Sequence, residues 1–160
     1  MRHVACSLVL LASMAGSLRA QSSNGYVFFA PGGVTCCGHT ETTLQAGVGG
    51  EFVFWRGLGI GAEFGAVGAS RDFAYSAMGV ISPDLSYHFV HKDGARVDPF
   101  VTAGYTLMFR SGVANLYNAG GGANYWFHKR LGARLEFRDQ VYTSGGTLHY
   151  WGFRFGLAFR

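Results

Sequence analysis

Apolar and non-apolar residues alternate through eight successive stretches of this chain, and that alternation limits what it can fold into. Neighbouring side chains of a strand point to opposite faces, so a period of two separates two surfaces of different chemistry. Leu131, Ala133, Leu135 and Phe137 share one face, while Arg134, Glu136 and Arg138 share the other. At the C-terminus, Trp151, Phe153, Phe155, Leu157 and Phe159 oppose Tyr150, Gly152, Arg154, Gly156 and Ala158. Earlier, Leu44, Ala46, Val48, Phe52 and Phe54 oppose Gln45, Gly47, Gly49 and Glu51, and Leu58, Ile60, Ala62 and Phe64 oppose Gly59, Gly61 and Glu63. A slip of one residue would exchange the faces, so the pattern also specifies register.

Strands are predicted at Gly25–Ala30, Thr42–Trp55, Gly57–Val67, Tyr75–Phe89, Pro99–Arg110, Leu116–Phe127, Leu131–Tyr142 and Thr147–Phe159. Eight aromatic-rich faces exceed what one small soluble core can bury, but they suit a lipid-facing wall. The chain also holds 25 Gly, residues that ordinary sheets avoid and that a narrow lumen accommodates. The expected fold is all-β: an eight-stranded antiparallel up-and-down transmembrane β-barrel spanning residues 21–160.

Arg2, the apolar run Val4–Leu18 and Leu18-Arg19-Ala20 read as an export signal, residues 1–20, too short to span a bilayer as a helix. Its removal takes away Arg2 and Arg19 and lowers the net charge from +4 to +2. With no Lys/Arg-rich run, no nucleic-acid footprint is present. Trp55-Arg56-Gly57, His91–Asp98 and His128-Lys129-Arg130 read as short turns facing the periplasm. Pro31–Glu41, Gly68–Ala74, Ser111–Asn115 and Thr143–Gly146 include the longest connections and are expected outside. Interfacial aromatic belts are expected from Trp55, Phe89, Phe100, Phe127 and Phe159 at one rim, and from Phe109, Tyr117, Tyr142, Tyr150 and Trp151 at the other.

These features resemble the small, porin-like outer-membrane barrels of the OmpA or OmpX type. The likeness is carried by Asp98-Pro99-Phe100-Val101-Thr102-Ala103-Gly104-Tyr105, by Gly120–Phe127, and by Leu131–Arg138 with its following aromatic strand, and it covers residues 25–160. It implies integration in the outer membrane among phospholipid and lipopolysaccharide, with help from periplasmic chaperones and the barrel insertion machinery. In that family a terminal aromatic residue helps the machinery recognise the last strand. Here Phe159 is penultimate, so Trp151, Phe153, Phe155, Leu157 and Phe159 are expected to carry the signal ahead of Arg160.

Projected inward, the alternation lines the lumen with Gln45, Glu51, Glu63, Asp84, His88, Thr102, Thr106, Asn118, Asn124, Arg134, Glu136, Arg138 and Arg154. Eight strands enclose a space that side chains fill, so these charges are expected to pair as a plug. The alternative is a narrow pore for ions or small solutes, gated by Arg134, Arg138 or Arg154. Cys36-Cys37-Gly38-His39 could supply soft-metal ligands, but three close donors are fewer than a full site, and a disulfide or oxidised thiols suit an exported loop better. Gly57-Leu58-Gly59-Ile60-Gly61-Ala62 only resembles a dinucleotide fingerprint, since strand alternation continues through Glu63-Phe64-Gly65-Ala66 where a helix is required. His149 beside Ser144 and Thr147 is the one catalytic combination the sequence offers, and no motif supports it. The expectation is a monomeric, non-enzymatic, cofactor-free barrel that contributes to envelope integrity or surface contacts.

Leu135 and Glu136 test the facing. Leu135→Arg should impair insertion, costing about 2–4 kcal/mol if it lies at the bilayer midplane, whereas Glu136→Gln should fold and lose roughly 1–3 kcal/mol in urea unfolding from vesicles. A harmless Leu135→Arg beside a Glu136→Gln that cannot insert would invert the assignment.

Overall fold

The computed structural model describes residues 22–90, 95–144 and 146–160, so the predicted signal, residues 1–20, lies outside the described part. Eight strands follow one another: β1 (Ser22–Cys36), β2 (His39–Trp55), β3 (Leu58–Ala69), β4 (Met78–His88), β5 (Val97–Phe109), β6 (Val113–Trp126), β7 (Leu131–Tyr142) and β8 (Leu148–Phe159). One helical turn, α1 (Phe73–Ser76), interrupts the β3–β4 connection. Every strand pairs antiparallel with its chain neighbour, and β8 returns to β1 to close the barrel. No described helix is long and apolar enough to cross a membrane.

Cross-strand partners give the barrel its dimensions. From Phe52 the pairing runs through Ile60, Leu85, Ala103, Ala119, Asp139, Trp151 and Gly33 and returns to β2 at Thr42, ten residues from its start. Eight strands with that stagger tilt by about 40° around a backbone cylinder of radius about 8 Å. Such a cylinder has room for one layer of inward side chains.

The two faces separate as the alternation requires. Leu135 is 56% exposed and its neighbour Glu136 4%. Val27, Phe29, Val48, Phe52, Ile60, Phe64, Leu85, Val101, Phe137, Phe153, Phe155 and Leu157 continue the exposed apolar wall around the circumference. In water so continuous an apolar surface would drive aggregation, whereas in a bilayer it is the favourable contact.

Several boundaries differ from those expected. β1 runs to Cys36, so Pro31–Glu41 is not a loop: it is the upper part of a β1–β2 hairpin closed by the two-residue turn Cys37-Gly38, with φ of 54° and 81°. Tyr75 belongs to α1, and β4 begins only at Met78. There Ser76 Oγ accepts from the Ala69 amide at 2.8 Å and donates to the Asp72 carbonyl at 2.9 Å, which folds the connection back on itself. β6 starts at Val113, inside the expected Ser111–Asn115 loop. Turn lengths at the two ends are therefore similar, and the expected contrast between short periplasmic turns and long outer loops is absent from the described residues. Phe100 points into the lumen, and Tyr142 and Tyr150 pack against an inward cluster, so these three do not join the aromatic belts.

All three prolines lie within strands on the outward face. The β1–β8 ladder lapses between Phe29 and Gly32 around Pro31, and the β4–β5 ladder lapses between Ile81 and Asp84 around Pro83. A ring that lacks an N–H costs a ladder bond there without ending the strand. Gly104, on the lumen side of β5, passes so close to the Pro83 carbonyl and the Asp84 side chain that a Cβ would collide with both. Gly104→Val should lower stability by about 1–3 kcal/mol through overpacking, while Ala103→Val on the lipid face should stay within about 0.5 kcal/mol. Urea unfolding from lipid vesicles checks both.

Candidate functional site

The inward residues of all eight strands meet in one lattice. Arg138 on β7 sits at its centre: Nη1 donates to Glu63 Oε2 at 3.0 Å and Asp84 Oδ2 at 2.8 Å, and Nε donates to Glu136 Oε1. Glu63 also accepts from Arg154 Nη1 and from the Tyr26 hydroxyl, both at 2.7 Å. Arg134 donates through Nε to Glu136 Oε2 at 3.2 Å and through Nη1 to Glu51 Oε1 at 3.3 Å and Asn124 Oδ1 at 3.4 Å. Its guanidinium is held between the rings of Tyr26 and Phe100, 4.2 and 3.9 Å from their centroids, and Arg154 lies 4.5 Å over Phe28. All three lumen arginines thus have carboxylate partners, and Arg134 and Arg154 also have aromatic faces, which offset the cost of removing their charge from water.

Two polar groups extend the lattice toward the ends. Near the end where β1 begins and β8 finishes, His88 lies between Asp98, 2.8 Å from Nδ1, and Glu51, 3.3 Å from Nε2, while Asn24 Nδ2 donates to Glu51 at 3.3 Å. Toward the opposite end, Asn118 Nδ2 donates to Thr106 Oγ1 at 2.9 Å, Thr106 and Ser82 share a 2.8 Å hydrogen bond, and Gln45 Oε1 accepts from Gln140 and Arg154.

Apolar side chains close both mouths. Val67, Val80, Met108 and Leu116, with Met78, Ala114, Tyr142 and Tyr150 packed against them, fill the lumen at the end where β1 finishes and β8 begins. At the other end Trp126, the last residue of β6, lies under Arg160, whose Cζ is 3.8 Å from the ring centroid, and begins an apolar row through Ala158, Tyr26 and Phe28 that runs inward as far as Ala30, beside Arg138 and Arg154. A cavity lined by Gln45, Arg138, Tyr150 and Arg154 offers about 10 Å³ to water centres, room for one water.

The structure brings together Glu51, Glu63, Asp84, His88, Arg134, Glu136, Arg138 and Arg154, the charged residues projected inward from the sequence. Sequence reasoning missed Asn24, which lies before the expected Gly25–Ala30, and Tyr26 and Phe28, which lie within it but are uncharged, and it missed Asp98, Ser82, Gln140 and the apolar mouth. Parity along each strand was the signal that could have found them: Asp98 and Met108 share the phase of Thr102 and Thr106. Cys36 and Cys37 meet at the β1–β2 tip, but no group of three His, Cys, Asp or Glu side chains that could hold a metal ion is found there or elsewhere among the described residues. His149 pairs with Asp139, Nδ1 to Oδ2 at 2.7 Å, on the outward face of β7 and β8, and not with Ser144 or Thr147. Residues 57–62 form a tight turn and strand β3, so the glycine-rich run binds no helix terminus.

The barrel is that of the small eight-stranded outer-membrane β-barrel proteins. It is similar to the N-terminal β-barrel domain of Pseudomonas aeruginosa OprF, with 19% identity, a TM-score of 0.65, and coverage of 88% of this chain and 98% of that one. Neisserial surface protein A aligns with 8% identity and a TM-score of 0.64 over 86% of this chain and 96% of its own. Ail, the attachment invasion locus protein of Yersinia pestis, seen with the heparin analogue sucrose octasulfate, aligns with 11% identity and a TM-score of 0.55 over 86% and 97%. No protein-family model matches the chain, nor does any curated protein sequence.

Arg138 reaches three carboxylates, and removing it takes the arginine partner from Asp84 and leaves Glu63 with Arg154 and Glu136 with Arg134. Arg138→Met should cost about 3–5 kcal/mol, measured by urea unfolding from vesicles. If Arg138→Met combined with Glu136→Gln and Asp84→Asn recovers much of that loss, unpaired charge and not lost packing is the cause.

Proposed function

We propose that the chain is a closed, non-enzymatic barrel of the outer membrane that anchors a protruding β1–β2 hairpin and short surface turns, contributing to envelope integrity or surface contacts. In this reading residues 1–20 direct export and are cleaved, periplasmic chaperones deliver the chain, and the insertion machinery recognises β8 through Trp151, Phe153, Phe155, Leu157 and Phe159. The mature protein works as a monomer surrounded by phospholipid and lipopolysaccharide and needs no cofactor.

One observation carries the closed reading: an ionic lattice that spans the lumen between two apolar seals, with room for about one water beside it. Ions would have to displace both a seal and a set of charge-assisted hydrogen bonds to pass. The hairpin supports the surface role. Strands rising about 2.5 Å per residue at this tilt cross a 25 Å apolar band in about ten residues, and β2 has 17, so its upper part stands clear of the membrane.

The purified protein should show no steady conductance in planar bilayers, and cell fractionation should place it in the outer membrane, resistant to carbonate. Steady single-channel conductance would replace the anchor with the narrow pore, and recovery as a soluble periplasmic monomer would remove the membrane reading.

A further inference from the structure

The β1–β2 hairpin ends in a turn whose composition does not suit its conformation. Cys37 and Gly38 both have positive φ, 54° and 81°, the requirement of a type I′ turn, for which Asn-Gly or Asp-Gly is the favoured pair. A cysteine in the left-handed region costs on the order of 1 kcal/mol, and such strain persists where the surroundings enforce it, commonly at functional positions. Here they do. Cys36 and His39 are paired as the last rung of the ladder, Thr35 and Thr40 share a 3.0 Å hydrogen bond one rung below, and Trp151 Nε1 on β8 donates to Thr35 Oγ1 at 3.1 Å. The consequence is that the Cys36 and Cys37 sulfurs lie 2.7 Å apart, inside van der Waals contact, with Cys37 exposed and Cys36 half-buried.

We infer that Cys36 and Cys37 form a thiol–disulfide exchange site, a vicinal dithiol that is oxidised reversibly by disulfide compounds outside the membrane. The Cys37 thiolate, the more accessible of the two, attacks one sulfur of an external disulfide RSSR and expels RS⁻, forming a mixed disulfide. Cys36 then gives up its proton, attacks Cys37 Sγ and expels the second RS⁻. One protein S–S bond replaces two S–H bonds, and RSSR is reduced to two RSH. While both thiols are reduced, the hydrogen bond with Cys37 keeps the Cys36 proton on above the ordinary thiol range, which leaves Cys37 as the first nucleophile; that hold is released once Cys37 is in the mixed disulfide. The compartment favours the chemistry, because exported surfaces lack the reducing systems of the cytosol. The site stands on the tip geometry and is independent of whether the lumen conducts.

The test equilibrates the protein, folded in lipid vesicles, with oxidised glutathione, alkylates it with iodoacetamide, and weighs the tryptic peptide that ends at Arg56. Wild type should lose two hydrogens there, with alkyl uptake falling from two per peptide to none, carry no glutathione, and return to two alkyl groups after dithiothreitol. Cys37→Asn, which installs a favoured turn residue and should leave the barrel folded, should instead retain one glutathione or one alkyl group on Cys36. Glutathione adducts on wild type, covalent dimers, or two alkyl groups after oxidation would each overturn the inference.

Discussion

Closure is the constraint from which the rest of this structure follows. In hydrocarbon every backbone N–H and C=O must be satisfied within the protein, so a sheet can cross only if its first and last strands meet. The β1–β8 ladder achieves that, and with eight strands staggered by ten residues the lumen is narrow. The narrowness selects residues on both sides. Gly47, Gly61, Gly65, Gly104, Gly120 and Gly122 lie on the inward phase, where an added Cβ would collide with the carbonyl oxygen of a neighbouring strand.

A narrow lumen lined with charge is stable only if the charges answer one another. Isolated, a buried arginine or carboxylate would pay several kcal/mol in desolvation. The lattice avoids isolation by sharing: Glu136 accepts from both Arg134 and Arg138, and Glu63 from Arg138, Arg154 and Tyr26. The apolar seals strengthen this arrangement, since excluding water lowers the local dielectric and makes each remaining charge contact stronger. The same condition makes the network brittle, because losing Arg138 takes the arginine partner from Asp84 and one partner each from Glu63 and Glu136.

The alternation made strand number, antiparallel order and facing legible, because a period of two needs no knowledge of neighbours. Whatever depends on local breakers or on global stagger was less legible. Pro31, Gly32 and Gly33 looked like the start of a loop, yet a barrel has no edge to which such residues must be confined, and β1 continues through them to Cys36. Phe100 and Tyr150 were assigned to the belts from residue type, although Phe100 shares the phase of Thr102 and Tyr150 that of Arg154. The identity of each ionic partner could not be read at all: Arg138 meets Glu63 and Asp84, 75 and 54 residues away, because the stagger brings β3 and β4 across from β7.

Asp139 and His149 show how the same alternation marks the edge of the bilayer. Both occupy the lipid-facing phase, which is apolar below them through Leu131, Ala133, Leu135 and Phe137 on β7 and through Phe153, Phe155, Leu157 and Phe159 on β8. From Leu131 to Asp139 the wall rises about 20 Å at this tilt, close to the height of the apolar band. A carboxylate and an imidazole bound to each other at 2.7 Å, with 30% and 43% of their side-chain surfaces exposed, suit the polar boundary better than hydrocarbon. Trp151, the ladder partner of Asp139 and bonded to Thr35, is an amphipathic ring at the same level. The β1–β2 hairpin extends past the level at which the wall of β7 and β8 stops being greasy: Thr35 is the ladder partner of His149, and the Cys37-Gly38 turn lies beyond it.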